Sequence, residues 1–156
     1  MTEKPKFIVD FMCGRLARWL RILGYDAEFF NETSRSKILM ESLKTQRIIL
    51  TRDTQLSKKK AYKIILITSD KIRQQVKQVI KDLNLKLNPK EFFSICSICN
   101  KKVNKVIDKS EIKDLVPIYI YENINEFYRC PGCNRIYWQG SHYDFFLKEI
   151  EKIFSK

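Results

Sequence analysis

The sequence predicts an α/β fold, a parallel sheet with helices on both faces, followed by a small metal-bound module and a closing helix. Three observations predict it. Short apolar runs alternate with amphipathic helical segments through residue 88, which is the pattern of strand–helix–strand units. Asn88-Pro89 then interrupts the alternation, because proline ends regular structure. Beyond that point lie two Cys-x-x-Cys pairs, which hold four of the five cysteines. A chain of 156 residues has room for one ordinary domain and an appendage, and we divide it into residues 1–88 and 89–156.

Taken in order, residues 6–10 read as a first strand, apolar through Phe7, Ile8 and Val9 and ending on Asp10. A helix follows over 13–23, with Leu16, Leu20 and Leu23 at helical spacing and Gly24 placed to end it. Residues 27–30 form a second strand. Ser34 or Ser36 caps a helix whose apolar positions are Ile38, Leu39 and Leu43. Residues 48–50 make a third strand running into Thr51-Arg52-Asp53. Residues 64–67 make a fourth, apolar enough to be covered on both faces. Ser69 or Asp70 caps the next helix, whose Ile72, Val76, Val79, Ile80 and Leu83 form one stripe. Past the boundary, 118–121 and 136–138 read as strands and 143–154 as a helix, with Phe146, Ile150 and Ile153 available to fasten it to the main body.

Composition narrows the class. The balance of 44% hydrophobic and 31% charged residues is that of a folded globular chain. Its longest apolar runs are far shorter than the roughly 18 residues a membrane helix needs, and no secretory leader pattern opens it, so cytoplasm is the expected location and a membrane is not an expected partner. The formal net charge of +12 is unevenly spread. Residues 1–88 carry 19 Lys and Arg against 9 Asp and Glu, and residues 89–156 carry 11 against 9. A basic field of this kind attracts polyanions, nucleic acid above all.

Cys96-x-x-Cys99 and Cys130-x-x-Cys133 each place two thiolates on a tight turn, and together they suit a tetrahedral zinc site. Four protein thiolates leave no open coordination position, so the expected role is structural. The Pro-Gly of the second pair supplies turn geometry and N–H donors to sulfur. Lys101, Lys102 and Arg129 stand ready to offset negative charge. Cys13 is the odd cysteine and reads as a packed residue.

In an open parallel sheet, ligands collect at the carboxyl ends of the strands. Asp10, Asp53 and Asp70 stand at three such ends, and Glu32 follows the second strand. Clustered carboxylates hold Mg²⁺ or Mn²⁺, which activates water in phosphodiester hydrolysis. On that reading Asp10, Asp53 and Asp70 are catalytic, and Asp10 and Asp53 are the ligands of the divalent ion. Asp53 and Asp70 could equally be helix caps.

The chain resembles a known family, the Mut-seven C-terminal RNase domain. The resemblance rests on Phe7-Ile-Val-Asp10 leading into Gly14-Arg-Leu-Ala-Arg-Trp-Leu-Arg-Ile-Leu-Gly-Tyr-Asp26, then Ile49-Leu-Thr-Arg-Asp53. It continues through both cysteine pairs and Arg129-Cys-Pro-Gly-Cys133 into Tyr137-Trp-Gln-Gly-Ser-His142. It implies a PIN-like sheet followed by a zinc ribbon, RNA cleavage or RNA binding, and acidic metal ligands at Asp10 and Asp53. The chain departs from the family pattern in one place. Where the family has an acidic residue opening the second helix, the chain has Arg35 within Thr33-Ser-Arg-Ser-Lys37.

Arg15, Arg18 and Arg21 recur every three residues and would share one helix face near Asp10, spaced to meet successive phosphates. Arg35, Lys37 and Arg52 join them as expected RNA contacts. The expected partner is therefore RNA, with ribosomal RNA or the ribosome as one candidate. Three functions remain open: a metal-dependent ribonuclease, a catalytically degenerate RNA-binding factor, and a toxin-like or regulatory protein controlled by a protein partner.

Overall fold

The computed structural model describes residues 3–154. It divides into two compact units, one up to Asn100 and one from Lys101 onward. The first holds strands β1 (Phe7–Asp10), β2 (Ala27–Phe30), β3 (Ile48–Thr51) and β4 (Lys63–Leu66), interleaved with helices α1 (Gly14–Ile22), α2 (Arg35–Thr45), α3 (Thr54–Ser57) and α4 (Ile72–Asp82). All strand pairs are parallel, in the order β2-β1-β3-β4.

Alternation along β1 divides the core into two layers, since neighbouring side chains on a strand leave by opposite faces. Ile8 and Ile49 pack with Ile38 of α2 and Leu56 of α3. Phe7, Val9 and Leu50, all fully buried, belong to the opposite face, where α1 meets both β1 and α4. Gly24 ends the first helix at φ +94°, a conformation that disfavours side chains, and a Cβ there would stand 2.9 Å from the Glu91 carbonyl.

Three local expectations need correction in this unit. Strand β4 is an edge strand with Lys63 exposed and Ile64 and Leu66 half-buried, so it is not covered on both faces. Its apolar run reflects one buried face and the hydrophobic stretch leading into Ile67. Helix α4 is preceded by Lys71, which makes no capping bond; Ser69 Oγ instead accepts from the Lys71 N–H at 3.0 Å, and Asp70 caps nothing. In α2 the buried positions are Ile38 and Ser42, four apart, and Leu43 faces outward. Ser42 is drawn in because its hydroxyl donates to the Arg47 carbonyl at 2.7 Å. Ser34 caps α2 as expected, accepting from Lys37 N at 3.3 Å.

The second unit contains an antiparallel sheet, β5 (Asn104–Lys105), β6 (Tyr128–Arg129) and β7 (Ile136–Tyr137), with helices α5 (Ile118–Asn123) and α6 (Ser141–Phe154). The residues expected as a strand at 118–121 are helical. Pro117 stands at the N-cap, its carbonyl accepts from Tyr121 N at 3.0 Å, and Asn123 closes the turn onto the Tyr119 carbonyl at 2.8 Å. Strand preference in aromatic and β-branched residues acts through cross-strand neighbours, and here local hydrogen bonds prevail. In α6, Phe146, Ile150 and Ile153 are buried.

Candidate functional site

In the first unit, β1 is followed in sequence by its neighbour on one side, β2, and the chain then crosses to β3 on the other. The carboxyl ends of β1 and β3 therefore flank a topological switch point, where open α/β sheets form ligand crevices. Asp10 closes β1 and is only 5% exposed. Thr51 closes β3 and donates its hydroxyl to Asp10 Oδ2 at 2.5 Å, while its oxygen accepts from the Asp53 N–H at 2.9 Å. One hydroxyl thus ties the Asp10 carboxylate to the Asp53 backbone. Asp53 also caps α3, accepting from Gln55 N at 2.9 Å.

Arg35 enters this arrangement directly. Its Nε donates to Asp53 Oδ2 at 2.7 Å and its Nη2 to Oδ1 at 3.3 Å, a two-pronged grip on one carboxylate. Lys37 likewise pairs with Glu32 at 3.0 Å. Asp10, Glu32, Arg35 and Asp53 line a pocket of about 20 Å³, little more than one water molecule. Asp70 is exposed and does not line it. Among the described residues, the carboxylates do not gather into a group of three able to share one cation.

The Arg35 grip holds the Asp53 carboxyl below its ordinary range, burial opposes it, and the N–H groups of Gln55 and Leu56 add to the lowering. Because the folded-state pKa is depressed, any stability the pair supplies is present above the unfolded pKa and lost as pH falls through the folded one. We expect the Asp53 carboxyl to titrate below about pH 3.9, the ordinary aspartate value, and Arg35→Ala to move its midpoint upward. Carboxyl-detected NMR titration measures both, and an unchanged midpoint in the variant would disprove the pairing.

The basic residues separate into two groups. The side chains of Arg15 and Arg18 are exposed on α1 and, among the described residues, form no hydrogen bond or ion pair. Arg21 does not share their exposed face. It is 7% exposed, and its Nε donates to the Ala27 carbonyl at 2.7 Å while its Nη1 donates to the Ser97 and Ile98 carbonyls at 2.9 and 3.3 Å. The reason is helical phase: residues three apart drift around the axis, and the third arginine turns under the Cys96–Cys99 turn. Burial pushes the Arg21 pKa down, and the negative charge of a thiolate at the nearby Cys96 opposes that. Arg52 is exposed beside Asp53. Cys13 is buried, and its pKa is pushed up to about 11 by burial and then by Asp10, so it is a packed thiol.

The four cysteines come together. Their Sγ atoms all lie within 4.8 Å of one another, and Cys96 and Cys130 are fully buried. Both turns are built alike. The residue after each second cysteine, Asn100 or Asn134, has positive φ, and its N–H returns to the carbonyl of Cys96 or Cys130 at 2.9 Å. Asparagine tolerates that conformation better than most residues. Gly132 N donates to Cys130 Sγ at 3.3 Å, the sulfur contact expected of the Pro-Gly turn. Asn100 also accepts from Ala27 N at 2.9 Å and donates to Asp26 Oδ1 at 2.6 Å. Asp26 in turn is gripped by Arg47 at 2.8 and 3.2 Å. A soft, preformed sulfur quartet of this kind can hold a metal ion such as zinc.

Motif reading did not single out Thr51 or Asn100. Each sits next to a recognised residue, but its partners come from other segments of the chain. The α1 helix, like every helix among the described residues, is too short or too polar to cross a membrane.

The chain thus combines a parallel α/β domain, with two acids at its switch point, and a four-cysteine group that could hold a metal ion. The chain belongs to the Mut7-C RNAse domain family, whose model matches residues 5–150. No curated protein and no solved structure matches it.

Proposed function

We propose that this protein binds RNA on its basic first unit and that Arg35 keeps its inherited acidic crevice from holding a catalytic cation. The observation that carries this reading is the two-pronged Arg35–Asp53 contact at 2.7 and 3.3 Å, which places a fixed positive charge where a divalent ion would need to sit. Arg15 and Arg18, free of internal partners, are the phosphate contacts, with Lys37 and Arg52 nearby in sequence to the crevice; Arg21 is structural. The cysteine quartet binds zinc and stabilises a ribbon that we place in residues 89–156. The protein works in the cytoplasm, and ribosomal RNA is a candidate target that co-sedimentation with ribosomal particles would test.

A second reading, a metal-dependent ribonuclease, draws support from the position of Asp10 and Asp53 at the switch point. Those two would hold Mg²⁺ or Mn²⁺, which would supply activated water, and Asp70 would need to approach them. Incubation with single-stranded RNA and Mn²⁺ separates the readings. We expect salt-sensitive binding without cleavage, and a log–log salt slope reduced by about 1.4 in a variant lacking both Arg15 and Arg18, from roughly 0.7 per phosphate contact. Cleavage by the wild type that vanishes in Asp10→Asn and Asp53→Asn would instead establish the ribonuclease.

A further inference from the structure

An open cleft of about 570 Å³ lies within the first unit, lined by Gly14, Arg15, Arg18, Arg21, Phe29 and Ile98. We propose that it is a binding site for one unstacked base of single-stranded RNA, with Phe29 as the stacking face and Arg15 and Arg18 as the contacts to the flanking phosphates. The proposal rests on the RNA-binding reading above and adds a site to it.

The argument begins with strand β2, an outer strand of the sheet. Ala27 and Phe29 leave it by the same face, yet Ala27 is fully buried and Phe29 is 42% exposed. The cover runs out because α1 begins at Gly14, which has no side chain to lay over the ring. A Cβ at Gly14 would stand 3.4 Å from Phe29 Cε1. A large aromatic ring is thus left open beside two guanidinium groups. Ile98, 40% exposed, adds an apolar wall. The volume lies within the ordinary range for small-ligand sites, about 300–1,000 Å³.

Charge and chemistry select the occupant. Arg15 and Arg18 lie almost one helical turn apart, on neighbouring positions of one face. Arg21 is engaged by three carbonyls at the cleft wall, so it adds positive field without being free to follow a ligand. Aromatic face plus mobile cations is the combination that holds single-stranded nucleic acid, because every base has a π-face and every linkage a charge. A duplex keeps its bases stacked and offers no face to the ring. Register sets the place of the site: Val9 pairs with Phe29 and Asp10 with Phe30, which lines the acidic pocket, and because Phe29 and Phe30 leave β2 by opposite faces, the base site and the crevice lie on opposite faces of the sheet.

The test measures binding of a short fluorescent single-stranded RNA, an abasic ribose-phosphate chain of equal length, and a duplex. Wild type is expected to bind the RNA about tenfold more tightly than the abasic chain. Phe29→Ala and Phe29→Leu are each expected to lose about tenfold toward RNA alone, and Phe29→Tyr to retain wild-type affinity. Leucine keeps the apolar contact without the π-face, so a fold defect in the alanine variant does not obscure the result. RNA binding at wild-type strength by Phe29→Leu, or equal affinity for RNA and the abasic chain, overturns the base site while the RNA-binding reading stands. Wild type that binds no RNA overturns both.

Discussion

Replacing Cys130 with serine is expected to abolish stoichiometric metal binding and unfold the module from Lys101 onward. That module has little else to hold it. Its three strands are two residues each, and its buried apolar side chains are few: Ile112, Phe127, Phe146, Ile150 and Ile153, with Phe127 set edge-on to Trp138 at 6.0 Å. Below about 40 to 60 residues a core alone seldom suffices, and a structural metal supplies the missing stability, roughly 10–16 kcal/mol in isolated zinc modules. Cys130 is a sensitive place to weaken the quartet, since the residue is fully buried and its sulfur accepts the Gly132 N–H. A serine hydroxyl is a poor zinc ligand and would leave a buried polar group short of partners. Elemental analysis should fall from one zinc per chain to none. Amide exchange should lose protection beyond Lys101 and keep it in β1 and β3. A Cys130→Ser protein that retained zinc and its melting temperature would remove the structural-metal reading.

Arg21→Met is expected to destabilise the first unit by about 2–4 kcal/mol, the cost of leaving one buried and two partly buried carbonyls without a charged donor. Methionine matches the length of the aliphatic stem and packs well, so volume loss is small and the effect isolates the guanidinium. Three acceptors, the carbonyls of Ala27, Ser97 and Ile98, lose that donor together. Two of them belong to the turn between Cys96 and Cys99, so zinc affinity should fall along with stability. RNA affinity should change little at temperatures where the variant is folded, in contrast to removal of Arg15 or Arg18. Chemical denaturation and zinc competition measure the first two effects, and an Arg21→Met protein of unchanged stability that had lost RNA binding would return Arg21 to the nucleic-acid surface.

These expectations show what local pattern can and cannot carry. The four parallel strands and their helices were legible because apolar runs at strand length, caps such as Ser34 and the stop at Gly24 are written in neighbouring residues. The cysteine quartet was legible because spacing within each pair dictates a turn. Arg15, Arg18 and Arg21 looked equivalent for the same reason that misled: i, i+3 spacing describes one face only approximately, and what covers that face comes from elsewhere in the chain. Residues 118–121 were misjudged because strand preference is a property of neighbours across a sheet, and these residues have none.

The sequence by itself determined the fold class, the family pattern, the basic charge and the four-cysteine group, all of which follow from local periodicity, spacing and composition. Only the tertiary structure decided which charges are free and which are spent. It put Arg35 on Asp53, Thr51 between the two acids, Arg21 under a cysteine turn, and Phe29 open beside Arg15 and Arg18. Each of these depends on segments about 10 to 80 residues apart meeting in space, and the strength of a charge or a ring depends on what meets it there.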